Sequence, residues 1–467
     1  MTTASTAFDS LYLKDRFGSP AMRDIWADRK QIQRWLDVEA ALALVEAELG
    51  LIPRSAAREI GRKAHVRFIN LKRMRRDYDA TWNPVVPLVD ALRRVVSPSA
   101  RRWVHWGATA KNVMDTGTAL QIKDSYAVVL AELDAIADVL ADHAERHRDT
   151  VMAGRTHGQQ AQPISFGYKV AVWLDELMRN RERLLESRPR VLVGEFGGAV
   201  GTLAALGRRG LSVERRLMKR LELGVPLVPT KTAGDRFAEF FLLLAMLATT
   251  LGKIAQNVYN LQQTEVDEVT EFTDGKVGST SMPHKLNPVA SGSVVMLGRL
   301  VRSRATAILE YVHSEWEDDH RQGESVWSFG PEVCLLLGAQ LVITKKLLRT
   351  LIVKPDHMLR NLDRSGGVVL SEAVMMALAP KLGRDKAHAL VLRLSREAMR
   401  RRTPFRDHVA SHPDVLRHVP PRRLATALDY RSSLGLSGRF VDDVLAAHAA
   451  EKRRRRGRRR ARRRRQL

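Results

Sequence analysis

Residues 113–147 read VMDTGTALQIKDSYAVVLAELDAIADVLADHAERH. The stretch holds one glycine, Gly117, and no proline, while Leu120, Ile122, Val128, Leu130, Leu133, Ile136 and Leu140 keep an apolar face at helical spacing. Thirty helical residues extend about 45 Å at about 1.5 Å per residue. The same pattern covers 166–187, 236–266, 288–314 and 333–352. Several helices of that length bury their faces by lying side by side, so the reading is all-α with an elongated central bundle that one subunit need not complete alone.

Working outward, Trp35, Leu36, Val38, Ala41, Leu42, Val45 and Leu49 line one helical face closed by Gly50 and Pro53, which predicts a helical hairpin near the start. Shorter helices follow Gly366, at 372–382 and 386–400. Breaks near 110 and 365 divide the chain into a helical domain 1–110, a central long-helix domain 111–365, a helical domain 366–450 and a tail 451–467. Strand-like alternation is nearly absent. The glycine-rich run 194–202 opens no βαβ unit, which excludes a dinucleotide fingerprint and leaves a tight loop between helices.

The chain has 467 residues, 45% of them apolar, enough to hold a core by burial alone. Its single cysteine, Cys334, lies in an apolar run, so no disulfide, Cys-x-x-Cys pair or cysteine-based zinc site is available within one chain; a buried thiol is expected. No metal and no cofactor are called for. The start, Met1 to Asp9, has no basic segment followed by an apolar one, which argues against a secretory signal and for a cytoplasmic location. The most apolar stretch, 240–251, is bounded by Arg236, Glu239 and Lys253 and falls short of the roughly 20 residues of a membrane helix. No membrane association is expected. Of the net charge of +25, Lys452 and the eleven arginines of 453–465 supply +12. Such a run repels itself and is expected to be disordered, either as a dispensable extension or as a nucleic-acid- or other polyanion-binding arm.

Three polar segments interrupt the apolar pattern. The first, 275–288, joins two long helices and carries Ser279, Lys285 and Asn287 after a run of small residues. A serine hydroxyl becomes a base only where donors stabilise its alkoxide, and Lys285 with the loop amides can do so. Lys285 and Asn287 can also hold a substrate carboxylate that gains charge as the adjacent carbon loses its proton. The alternative is a connector whose polar groups only cap the next helix. The second segment, 154–163, offers His157 as proton donor, because an imidazole ordinarily titrates near neutrality. The third, 104–116, opens the first long helix, where donors can hold an anion or where Thr109 or Asn112 merely caps the helix.

At these segments the chain resembles the fumarase/aspartase superfamily, also called the argininosuccinate lyase superfamily. Its signature Gly-Ser-x-x-Met-x-x-Lys-x-Asn falls on Gly278, Ser279, Met282, Lys285 and Asn287; Thr-His-x-Gln falls on Thr156, His157 and Gln159; His-x-Gly-x-Thr falls on His105, Gly107 and Thr109. The similarity runs from about Met22 to about residue 440. It implies a three-domain fold, a twenty-helix core in a homotetramer, and active sites shared by three subunits. It implies Ser279 as base, His157 as acid or relay, and Lys285 and Asn287 on the carboxylate and its aci-carboxylate intermediate. His105, Thr109, Asn112, Thr156 and Gln159 are expected to bind a small dicarboxylate substrate, and Arg236 to meet a second carboxylate unless it is tied up in an ion pair.

Within the superfamily, 195–202 and 371–379 look most like 3-carboxy-cis,cis-muconate cycloisomerase, with adenylosuccinate lyase next. Thr81-Trp82-Asn83-Pro84 and Arg16-Phe17 replace the segments that serve a nucleotide there. The run Thr109-Ala110-Lys111-Asn112 trades a hydroxyl and a carboxylate for a cation, which favours a more anionic substrate. The expected reaction is β-elimination from a substituted succinate with C–N cleavage, fumarate as product and nitrosuccinate as one candidate. Lactonisation of a carboxymuconate is the alternative, and a non-catalytic structural protein is the alternative of another class.

Overall fold

The computed structural model describes residues 5–229, 231–271 and 279–464, with side chains as far as Gly457. The first four residues, position 230, positions 272–278 with the signature's Gly278, and 465–467 lie outside the described residues.

Helices dominate. Those used below are α1 (Asp28–Glu48), α2 (Ala110–Arg146), α3 (Phe166–Val191), α4 (Asp235–Leu261), α5 (Val289–Ala305), α6 (His320–Arg349) and α7 (Ser437–Arg464). The run quoted above is α2, 37 residues long. Helix α6 starts earlier than the apolar pattern suggested and passes through Pro331. The segment expected at 288–314 breaks after Ala305 and resumes at Ile308–Val312.

The chain packs as two compact units, Met1–Leu133 with Asn180–Gly252 and Val294–Val342, and Asp134–Arg179 with Lys253–Ser293 and Ile343–Leu467. Each of α2 to α6 contributes a segment to both, so packing does not follow chain order. In the first unit, Tyr126 of α2 meets Phe240 of α4 at 4.8 Å between ring centroids. The buried amide of Gln340 in α6 donates to Ala248 O and Val294 O at 2.9 and 3.1 Å, satisfying carbonyls of α4 and α5. In the second unit Val374, Leu378, Leu394, Phe405 and Val409 form a core of their own. Cys334 is fully buried, and desolvation pushes its thiol pKa up.

Three expectations change. First, α4 and α6 are 27 and 30 residues long and apolar enough to cross a bilayer by length and composition, against the reading of 240–251 as too short. Their most apolar windows are 61% buried inside the protein, so the apolarity serves packing around the whole helix. Second, Val151–Thr156 (β1) and Gln159–Ser165 (β2) form an antiparallel hairpin in a sequence whose strand-like alternation is nearly absent. Third, the tail is helical as far as Arg464 rather than disordered from 451. Residues 437–450 already provide the nucleus, and α2 supplies anionic partners: Asp138 meets His448 at 2.8 Å and Lys452 at 3.0 Å, and Asp134 pairs with Arg455.

Candidate active site

The hairpin presents the second motif. Its two-residue loop is His157-Gly158, with φ of 51° and 78°, the left-handed pair that lets a tight turn follow the twist of its strands. The register slips between Gly154 and Arg155, and the strand is anchored there. Arg155 makes a two-pronged pair with the fully buried Glu268, at 2.9 and 2.5 Å, and Asn361 donates to the same carboxylate at 2.8 Å. Thr156, His157 and Gln159 are exposed at the tip, and the side chains of His157 and Gln159 have no partner among the described residues. A rigid base thus holds out an imidazole that the chain itself does not use.

The signature loop is closed at its base by Glu271. One carboxylate oxygen accepts from the Ala290 amide at 2.7 Å, and the other from Ser291 N–H at 3.1 Å and its hydroxyl at 2.8 Å. These are orphan donors at the N-terminus of α5, so a single side chain fixes both loop ends. Within the loop, Ser279 Oγ accepts the Met282 amide at 3.0 Å, and Lys285 N–H donates to Met282 O at 3.1 Å. The Met282 amide is a donor of the kind that stabilises a serine alkoxide. The Lys285 side chain is exposed and has no partner among the described residues; Asn287 is half-buried.

The third motif lies in the other unit. Thr109 is the cap position of α2, and Asn112, three residues on, accepts its N–H at 3.0 Å, which is half of a capping box. Asn112 also donates to Glu195 and is 1% exposed. Both ends of its amide are occupied, so Asn112 braces Thr109 rather than meeting substrate, a correction to the expectation above. Lys111 is 4% exposed, 3.3 Å from Asp115 and 5.7 Å from the centre of the Tyr311 ring, so the added cation is consumed internally. Burial pushes Glu195 up to about 7, with the Asn112 hydrogen bond opposing.

His105, at φ 64°, places Nδ1 2.5 Å from the buried Glu39. Desolvation lowers its pKa, but the charge and hydrogen bond of Glu39 outweigh this and leave it raised. Arg236, at the start of α4, is half-buried and has no partner among the described residues. Thr109 lines a cavity of about 340 Å³ with Gly107, Ala199, Val200, Leu203 and Leu206, and no charged side chain lines it.

Sequence reasoning gave Glu268 and Glu271 no scaffold role and missed Lys169. Lys169 is half-buried on α3; desolvation first and the Arg155 charge second lower its pKa. No sequence signal marked it, because its setting comes from residues distant in the chain. Glu397, His408 and His412 lie close enough to hold a metal ion. His408 already bonds Glu397 at 3.2 Å, and His412 Nδ1 accepts the Asp414 amide at 3.3 Å, so these groups also satisfy one another.

Residues 15–302 match the lyase family and residues 367–444 the adenylosuccinate lyase C-terminus. The chain belongs to the fumarase/aspartase superfamily of lyases, and its predominantly helical fold is theirs. It is 38% identical to the N-acetyl-S-(2-succino)cysteine lyase of Dickeya dadantii over 95% of this chain and 97% of that protein. It is 38% identical to the adenylosuccinate lyase of Methanothermobacter thermautotrophicus, over 92% and 97%. The crystal structure of the 3-carboxy-cis,cis-muconate lactonizing enzyme from Pseudomonas putida superposes with a TM-score of 0.88 at 36% identity, covering 94% of this chain and 99% of that one.

Proposed function

We propose that this protein is a cytoplasmic homotetrameric lyase, with active sites shared between subunits, that eliminates the C2 substituent of a 2-substituted succinate and releases fumarate. The observation that carries this reading is Ser279, whose Oγ already accepts a backbone amide in a loop clamped by Glu271. Ser279 as alkoxide removes a proton from C3, and Lys285 and Asn287 hold the adjacent carboxylate as it becomes an aci-carboxylate. The electron pair then forms the C2–C3 double bond while the substituent departs with the bonding pair. His157, exposed and unpaired, supplies or relays a proton to it where one is needed.

Lys111, the added cation that pointed to nitrosuccinate, is buried against Asp115 and gives that substrate no support. We prefer C–S cleavage to loss of an amine, because a thiol, with a pKa of about 8.5, leaves as thiolate without the prior protonation that an amine needs. The lyase from Dickeya dadantii, named for a succinylated cysteine, favours the same choice. Among the described residues, the cavity beside Thr109 offers no cationic side chain to pair with a nucleotide phosphate. The second reading is a carboxymuconate cycloisomerase, supported by the likeness to the lactonizing enzyme from Pseudomonas putida. A fumarate absorbance assay across N-acetyl-S-(2-succino)cysteine, nitrosuccinate, aspartate, argininosuccinate and adenylosuccinate, run beside carboxymuconate, separates them. Fumarate from the thioether is expected, and turnover of carboxymuconate alone overturns the proposal.

A further inference from the structure

The catalytic reading leaves α7 unexplained. Its inner stripe, His448, Lys452 and Arg455, follows the i, i+4, i+7 spacing of one helical face and is taken up by Asp134 and Asp138. These two aspartates face a segment in which Lys452 and the arginines of 453–465 carry +12. Arg453, Arg454 and Arg456 are exposed on the remaining surface, and the helix runs on through six further arginines to Arg464. The pairs with α2 therefore fix the direction of the helix while Arg453, Arg454 and Arg456 face outward.

We propose that this end of α7 docks the phosphate backbone of double-stranded nucleic acid, independent of sequence. Arginine suits phosphate because its planar fork donates two parallel hydrogen bonds. The charged segment 451–464 contains no aromatic residue, which removes the stacking that single strands need. Its only aliphatic side chain is Ala461, so it has no apolar face to enter a bilayer. Fourteen helical residues extend about 21 Å, and a duplex offers one negative charge per about 1.7 Å of its axis, so several phosphates lie within reach.

The test is fluorescence anisotropy of a labelled duplex of about 20 base pairs and arbitrary sequence with the full-length protein. With about five phosphates contacted, affinity falls on the order of 10²–10³-fold between 50 and 200 mM salt. Truncation after Ala450 abolishes binding. The triple variant R453E/R454E/R456E, which keeps the face toward Asp134 and Asp138, weakens it at least tenfold without changing the circular dichroism spectrum. No duplex binding by the full chain, equal binding by the truncated chain, tighter binding to a single strand of the same length, or preference for phosphatidylserine vesicles overturns the proposal.

Discussion

The side chains of Ser279, His157 and Lys285 share one property: among the described residues, none is engaged by the scaffold beyond the single amide bonded to Ser279. Asn112, Glu268 and Glu271 have the opposite character, with their polar atoms engaged internally. Replacing Ser279 with alanine leaves the fold intact and lowers turnover by roughly 10²-fold or more, read as the rate of fumarate formation. Replacing Glu268 with alanine strands the Arg155 guanidinium beside the hairpin and destabilises the protein by about 3–5 kcal/mol, read by chemical denaturation. Ser279, Lys285 and Asn287 stood out in the sequence because a hydroxyl, a cation and an amide in one polar run suit chemistry beside a carboxylate. Asn112 and Lys111 were misread, since whether a polar residue faces a ligand or a neighbour depends on groups such as Glu195 and Asp115 that spacing does not reveal.

The long helices were legible because an apolar face repeated over thirty residues has few other solutions. The hairpin was not, because β1 and β2 are short and their turn is marked only by His157-Gly158, a pair outside the usual asparagine–glycine signal. The α7 extension was missed because its stabilising partners, Asp134 and Asp138, lie about three hundred residues away on α2. Helix α1 carries a further test. Desolvation, then the charge of Glu39, pushes Glu46 up to about 9 from an ordinary 4.5. The fold thus holds a proton that the unfolded chain releases, so stability falls as pH rises from about 4.5 to 9. Glu195 adds the same sign up to about 7. Replacing Glu46 with glutamine flattens this slope and raises the denaturation midpoint at pH 8, measured by urea titration at several pH values.

For the whole molecule, each of the five long helices belongs to both compact units, and the three motifs are divided between those units, with His157 and Ser279 in one and Thr109 in the other. If subunits share active sites, mixing inactive Ser279→Ala and His157→Ala proteins and reassembling them restores part of the activity. Independent sites give none.

The proposed chemistry turns on Ser279 moving a proton at the carbon beside a carboxylate. Run in reverse, fumarate and N-acetylcysteine in deuterium oxide, followed by nuclear magnetic resonance, measure that step directly. The account predicts an adduct bearing one deuterium at C3 in a single configuration, formed by the wild-type protein and slowed by roughly 10²-fold or more in Ser279→Ala. The same labelled adduct at an undiminished rate in the variant contradicts it.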